Sequence, residues 1–208
     1  RGNFPNLART RGKLVGEASP SYVFHPLAPQ RVRELVPQAR LVVLVRNPVD
    51  RALSHHNHEV ALGREPLSFE NALDAEEERL RGEVERMTAD PRYFSREWWS
   101  HTYKARGRYA EQLDRWLELF PREQLLIVPS EDLSDDPAGT HAQVLEFLGA
   151  PAHRLESYPR VYEREYPLAR TQYTKYFFHS NKGANSAAGD GELSRNPPGK
   201  VARKEAGS

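Results

Sequence analysis

Two short runs of consecutive apolar, largely β-branched residues stand out from an otherwise mixed chain: Leu41-Val42-Val43-Leu44-Val45 and Leu125-Leu126-Ile127-Val128. Each has the length and composition of a strand covered on both faces, as in a parallel sheet. Lys13-Leu14-Val15-Gly16 is a weaker third strand candidate. Elsewhere the apolar positions and turn residues predict helices over Pro29 to Val36, Pro48 to about Leu62, Phe69 to about Arg86, Tyr103 to Phe120 and Pro137 to Leu148. Strands alternating with helices imply βαβ units and an α/β fold with a parallel sheet. In the helix ending at Phe120, the residues Tyr109, Leu113, Trp116, Leu117 and Phe120 recur every three or four positions and mark one buried stripe. Asp136 and Pro137 read as an N-cap and first-turn proline, and Gly149 as the stop of the same helix.

Composition narrows this picture without changing it. With 208 residues, 38% hydrophobic and 28% charged, the chain fits one water-soluble domain. No apolar run approaches the roughly 20 residues of a spanning helix, and Arg1-Gly2-Asn3-Phe4-Pro5 carries neither an apolar leader nor an initiating Met. The absence of cysteine excludes disulfides, a thiol nucleophile and the common structural zinc sites, and is compatible with a reducing cytoplasm. Thirty basic against 29 acidic residues argue against a general nucleic-acid binder. The charge is unevenly placed: Arg1 to Arg33 is basic, Glu65 to Asp90 acidic. From about Lys182 the chain is rich in Gly, Ser, Asn and Pro, and residues 179–208 are expected to form a disordered tail or long loop behind a domain over residues 1–178.

The candidate chemistry lies directly after the first strand, in Arg46-Asn47-Pro48-Val49-Asp50-Arg51-Ala52-Leu53-Ser54. Asn47 is a good N-cap, Pro48 suits the first helical position, and Asp50 stands where a carboxylate reaches back to the cap. A tight strand-to-helix turn puts Arg46 at the carboxyl edge of a parallel strand, where open α/β sheets bind ligands. Asn47, Arg51 and Ser54 share one helix face, and helical side chains lean toward the N-terminus, so Arg46 and Ser54 can converge on an anion there. Unpaired N–H groups at the helix start and a two-pronged guanidinium suit a phosphate. The competing reading pairs Arg46 with Asp50 or another carboxylate and leaves Ser54 an ordinary helix serine.

Four blocks, in order and suitably spaced, carry a resemblance: Gly16-Glu17-Ala18-Ser19-Pro20-Ser21-Tyr22, then Arg46 through Ser54 and His55, then Gly107-Arg108-Tyr109-Ala110-Glu111-Gln112-Leu113-Asp114-Arg115-Trp116-Leu117, then Ser130-Glu131-Asp132-Leu133. Together they resemble the sulfotransferases that use 3′-phosphoadenylyl sulfate (PAPS), most closely bacterial members related to the heparan sulfate sulfotransferases, over roughly residues 14–151. The resemblance implies a three-layer, P-loop-like α/β nucleotide-binding fold. It further implies transfer of a sulfuryl group from PAPS to a hydroxyl or amine of a small-molecule or carbohydrate acceptor, with adenosine 3′,5′-bisphosphate as product and no metal. Arg46 and Ser54 match the residues that grip the donor's 3′-phosphate. Asn181-Lys182-Gly183 resembles the loop that closes over the nucleotide, which makes Lys182 and Gly183 further cofactor-binding candidates.

The chain also departs from that pattern. The family's Lys-x-Gly-Thr-[Ser/Thr]-like loop for the 5′-phosphosulfate is not found between Arg1 and Leu14, and Ala18 stands where heparan-type members tend to have lysine. The catalytic base is therefore expected upstream of these residues. A sheet lacking the strand before that loop would be incomplete, with self-association through an exposed edge and little activity. Two other functions stay open: a kinase-like nucleotide phosphotransferase, which would need a Gly-Lys-[Ser/Thr] loop, and a non-catalytic nucleotide-binding remnant.

The remaining suggestive residues have simpler readings. His55 and His58 share a helix face beside His56, but no third metal ligand is identifiable, so packed or solvent-facing histidines are expected. Trp98-Trp99 and Tyr103 could stack a base or sugar; anchoring a helix to the core is the commoner use of paired tryptophans. Glu76-Glu77-Glu78 reads as a solvated helix face. Ser21 and Ser130 lack the His/Asp signature of a nucleophile.

Overall fold

A computed structural model describes residues 13–159. The two apolar runs form β1 (Leu41–Val45) and β2 (Leu125–Pro129), paired in parallel with Leu41 opposite Leu125 and Val45 opposite Pro129. Before β1 comes helix α1 (Ala28–Leu35). The crossover from β1 to β2 carries α2 (Pro48–Ala61), α3 (Phe69–Arg79), α4 (Glu83–Ala89), α5 (Arg96–Ser100) and α6 (Tyr109–Leu117). After β2 follow α7 (Ser130–Asp135) and α8 (Pro137–Leu148).

Alternation along β1 places helices on both faces of the strand pair, because successive side chains point to opposite sides. Leu41 packs with Val23, Val32 and Ala39 against buried Trp116 and Phe120. Val42 and Leu44 face the other way, where they line an apolar cavity with Val128, Leu133, Thr140 and Val144. A second buried cluster joins Val49, Ala52 and Leu53 of α2 to Phe69, Ala72 and Leu73 of α3, with Tyr103 wholly buried among them.

Several expected elements need correction. Lys13 to Gly16 forms no strand, and Leu14 and Val15 are exposed. The single helix expected from Phe69 to Arg86 is two: α3 stops at Arg79 with Leu80 as its C-cap, and after a short turn Gly82, in the left-handed conformation at φ 74°, is the N-cap of α4. The helix expected from Tyr103 begins in earnest only at Tyr109, after a 3₁₀ turn over Ala105–Gly107. Side chains satisfy this turn in place of helical hydrogen bonds. Glu76 accepts from the N–H groups of Lys104 (2.6 Å) and Ala105 (2.8 Å), and the Gln112 amide donates to the carbonyls of Ala105, Arg106 and Arg108. Glu76 is accordingly buried, whereas Glu77 and Glu78 are solvated as expected. In α6 the buried stripe contains Gln112 and Trp116, while Leu117 is exposed.

Candidate functional site: the strand-to-helix turn after β1

The turn forms where the sequence places it. The Asn47 side chain accepts from the N–H groups of Val49 (3.0 Å) and Asp50 (3.4 Å), Pro48 follows as the first helical residue, and the Arg51 N–H bonds to the Asn47 carbonyl. Arg46 is exposed at the carboxyl edge of β1, and Ser54 lies half-buried on the second turn of α2. Asn47 and Ser54 are separated by seven residues, about 10 Å along the helix axis. Lys182 and Gly183 lie outside the described residues.

One element of the sequence reading is overturned here. The N–H groups expected to await an anion already have acceptors. The Asn47 N–H donates to Glu131 Oε1 on α7 (3.0 Å), and the Arg46 N–H points to the Tyr109 hydroxyl on α6 (3.4 Å). Glu131 thus takes the reciprocal-cap position expected for Asp50. That hydrogen bond, followed by burial acting the opposite way, leaves the Glu131 carboxyl below its ordinary range, with Arg46 nearby adding to the effect. The backbone N–H groups of the turn are thus occupied from within the protein, which leaves side chains, Arg46 at the strand edge and Ser54 on α2, as the groups the sequence singled out. This donor set fits a phosphate: both groups are hydrogen-bond donors and Arg46 is open to solvent. Tyr109 and Glu131 belong to two blocks of the resemblance, yet nothing local in the sequence assigns them to this turn, because they approach it from elements 63 and 84 residues away.

Behind the turn, α2 is bound to the loop that precedes α6. Arg51 Nη2 donates to the carbonyls of Thr102 (3.4 Å) and Tyr103. Burial lowers the Arg51 guanidinium from its ordinary value. One turn on, His55 is held down at about 3 by burial and by Arg51, so it stays neutral. His56 is buried, bonding through Nε2 to the Leu67 carbonyl at 2.9 Å and packing against Phe69 and Tyr103. His55 and His56 thus serve packing, and His58 is exposed.

The same loop presents Arg106, which lies over Phe24, Trp98 and Trp99 at 5.1–5.8 Å from each ring centroid. Its Nε donates to Thr102 Oγ1 at 2.7 Å. Burial, with Arg51 as a neighbouring cation, lowers it to about 10. Trp98 is buried and stacks on Phe24 at 4.7 Å, the anchoring role expected of the tryptophan pair, while Trp99 is 41% exposed. Phe24 lies two residues past the Gly16-to-Tyr22 block, so the chain leaving the first block packs against the loop that α2 holds. Glu65 anchors that loop from below, accepting from Arg79 (2.6 and 3.1 Å), the Tyr103 hydroxyl (2.8 Å) and the Leu67 N–H (3.0 Å).

Comparisons with known proteins converge on one family. Residues 19–186 match the Sulfotransferase domain. Heparan sulfate glucosamine 3-O-sulfotransferase 6 of Mus musculus is 33% identical over 145 residues, 66% of this chain and 36% of the relative. Heparan sulfate glucosamine 3-O-sulfotransferase 3B1 of Homo sapiens is 32% identical over 138 residues, 66% of this chain and 32% of the relative. The chain thus spans about a third of the length of these relatives. The crystal structure of a sulfotransferase from Alicyclobacillus acidocaldarius superposes with a TM-score of 0.60 at 35% identity, covering 78% of this chain and 60% of that one. The α/β architecture is the sulfotransferase fold, and with the domain match spanning most of its length the chain belongs to the sulfotransferase family.

Proposed function

We propose that the protein to which this chain belongs transfers a sulfuryl group from PAPS to a hydroxyl or amine, with Arg46 and Ser54 binding the donor through its 3′-phosphate. The observation that carries this reading is the exposed guanidinium of Arg46 at the carboxyl edge of β1, on a strand–turn–helix unit inside the matched Sulfotransferase domain. PAPS supplies an activated sulfuryl group on a phosphate leaving group. Arg46 offers two parallel N–H donors to the 3′-phosphate, and Ser54 a hydroxyl from the same helix. Their task is to orient the donor, since in-line group transfer depends chiefly on positioning and charge stabilisation. A carbohydrate is the acceptor class favoured by the relatives, whose names specify heparan sulfate glucosamine.

Calorimetry with adenosine 3′,5′-bisphosphate and AMP tests the donor site. Adenosine 3′,5′-bisphosphate binds more tightly than AMP to the wild type, and Arg46→Ala weakens it by about ten- to a hundredfold, the equivalent of about 1.5–3 kcal/mol for a charge-assisted contact. Equal affinity for the two nucleotides, or unchanged binding by the variant, rejects the assignment.

A further inference from the structure

The ladder between β1 and β2 ends at Val45 opposite Pro129, and the two chains then part: one enters α2, the other α7. One step further the register would bring Arg46 beside Ser130 and Asn47 beside Glu131. A continuing strand would offer backbone carbonyls to the N–H groups of β1, but after Pro129 those carbonyls belong to a helix. Glu131 supplies the missing acceptor with its side chain, at 3.0 Å from the Asn47 N, and the Tyr109 hydroxyl stands at 3.4 Å from the Arg46 N. The Asn47 side chain covers the next two N–H groups, of Val49 and Asp50, and Pro48 has none. The backbone of the turn is therefore saturated from inside the protein, and a carboxylate occupies the spot at the helix start that the dipole makes favourable for negative charge.

We propose that Glu131 and Tyr109 are positioning residues of the donor site: they hold the Arg46–Asn47 backbone in the one conformation that leaves the Arg46 side chain outward and available to the donor's 3′-phosphate. The proposal rests on the donor-site reading above. Glu131 acts here as a hydrogen-bond acceptor, and its charge is secondary. Its neutral amide isostere, which keeps an acceptor oxygen, therefore preserves the turn, whereas alanine releases it. The opposite view makes Glu131 a negative charge competing with the phosphate, and then both substitutions tighten nucleotide binding. The two views differ in sign.

The test uses the full chain with Glu131→Gln, Glu131→Ala and Tyr109→Phe, two readouts, and adenosine 3′,5′-bisphosphate as the probe. Amide exchange followed by NMR is expected to show the Asn47 N–H protected in the wild type and in Glu131→Gln, and exchanging at least about tenfold faster in Glu131→Ala. Tyr109→Phe raises exchange at Arg46 instead. Calorimetry is expected to show about tenfold weaker binding in Glu131→Ala, with Glu131→Gln within about threefold of wild type. A merely structural role would move the urea midpoint with the affinity; here the affinity falls while the midpoint of Glu131→Ala stays near that of the wild type. Wild-type or tighter binding by Glu131→Ala, or unchanged exchange at Asn47, overturns the proposal. If Arg46→Ala binds as the wild type does, the donor site itself fails, and the exchange measurement, which needs no ligand, still decides whether Glu131 holds the turn.

Discussion

Glu65 is the residue whose removal should be felt most. Its side chain is wholly buried, and the carboxylate accepts four hydrogen bonds: two from Arg79, one from Tyr103 and one from the Leu67 backbone. Burial pushes its carboxyl up, but the Arg79, Leu67 and Tyr103 bonds overcome this and bring it from the ordinary 4.5 down to about 2. That interval, at about 1.4 kcal/mol per pH unit, corresponds to on the order of 3 kcal/mol of stability at neutral pH. Removing one partner of a buried pair costs about 3–5 kcal/mol by an independent route, because Arg79, only 19% exposed, is left charged and unpaired. Both figures are a large share of the roughly 5–15 kcal/mol that holds a domain together. A carboxyl lowered on folding stabilises fully above its unfolded value and progressively less as the pH falls through the folded one. The Glu65 contribution should thus be complete above about pH 4.5 and fade toward pH 2. Urea unfolding of the wild type, Glu65→Gln and Glu65→Ala at pH 7, 4 and 3 measures it. At pH 7 Glu65→Ala should lose about 3–5 kcal/mol and Glu65→Gln somewhat less, with the gap between wild type and Glu65→Gln narrowing at pH 3. The double variant Glu65→Leu with Arg79→Met should be more stable than Glu65→Ala, since it leaves no buried charge alone. A gap between wild type and Glu65→Gln that is negligible at pH 7, or constant from pH 7 to 3, would refute the reasoning.

Three further outcomes follow from the geometry. Asn47→Ala removes the acceptor for two N–H groups at the start of α2 and should lower stability by about 1 kcal/mol, visible as a reduced melting temperature, and weaken nucleotide binding with it. Glu76→Gln faces an amide NH₂ toward one of the two N–H groups that the carboxylate now accepts, and should cost about 1–3 kcal/mol in urea titrations; wild-type stability would show that the loop before α6 does not depend on this contact. Gly82→Ala places a side chain at φ 74°, with open space around it, so backbone strain alone should destabilise the protein by about 1 kcal/mol; an unchanged melt would mean that α3 and α4 can join differently.

How far the sequence reached is clearest at the turn after β1. The strands Leu41–Val45 and Leu125–Pro129, the cap at Asn47, the helix start at Pro48 and the cap and stop of α8 at Asp136 and Gly149 all follow from local rules. β-branched runs, capping side chains and prolines act within a few residues of themselves, so their effect is written where they stand. The four sulfotransferase blocks were legible for the same reason, as contiguous strings at fixed spacing. What sits on the turn was not. Local rules leave its N–H groups awaiting an anion, and only the folded chain brings Tyr109 and Glu131 onto them. Glu76 repeats the lesson: beside Glu77 and Glu78 it is one of three identical letters, and it becomes a buried cap only because α3 packs where the chain leaves Tyr103. Periodicity also overran at Gly82, where a left-handed glycine turns the chain, and before Tyr109, where the Glu76 and Gln112 side chains satisfy the backbone of a 3₁₀ turn. Hydrogen-bond acceptors supplied across dozens of residues have no sequence signature, because the distance that matters is set by how the sheet and helices close upon one another.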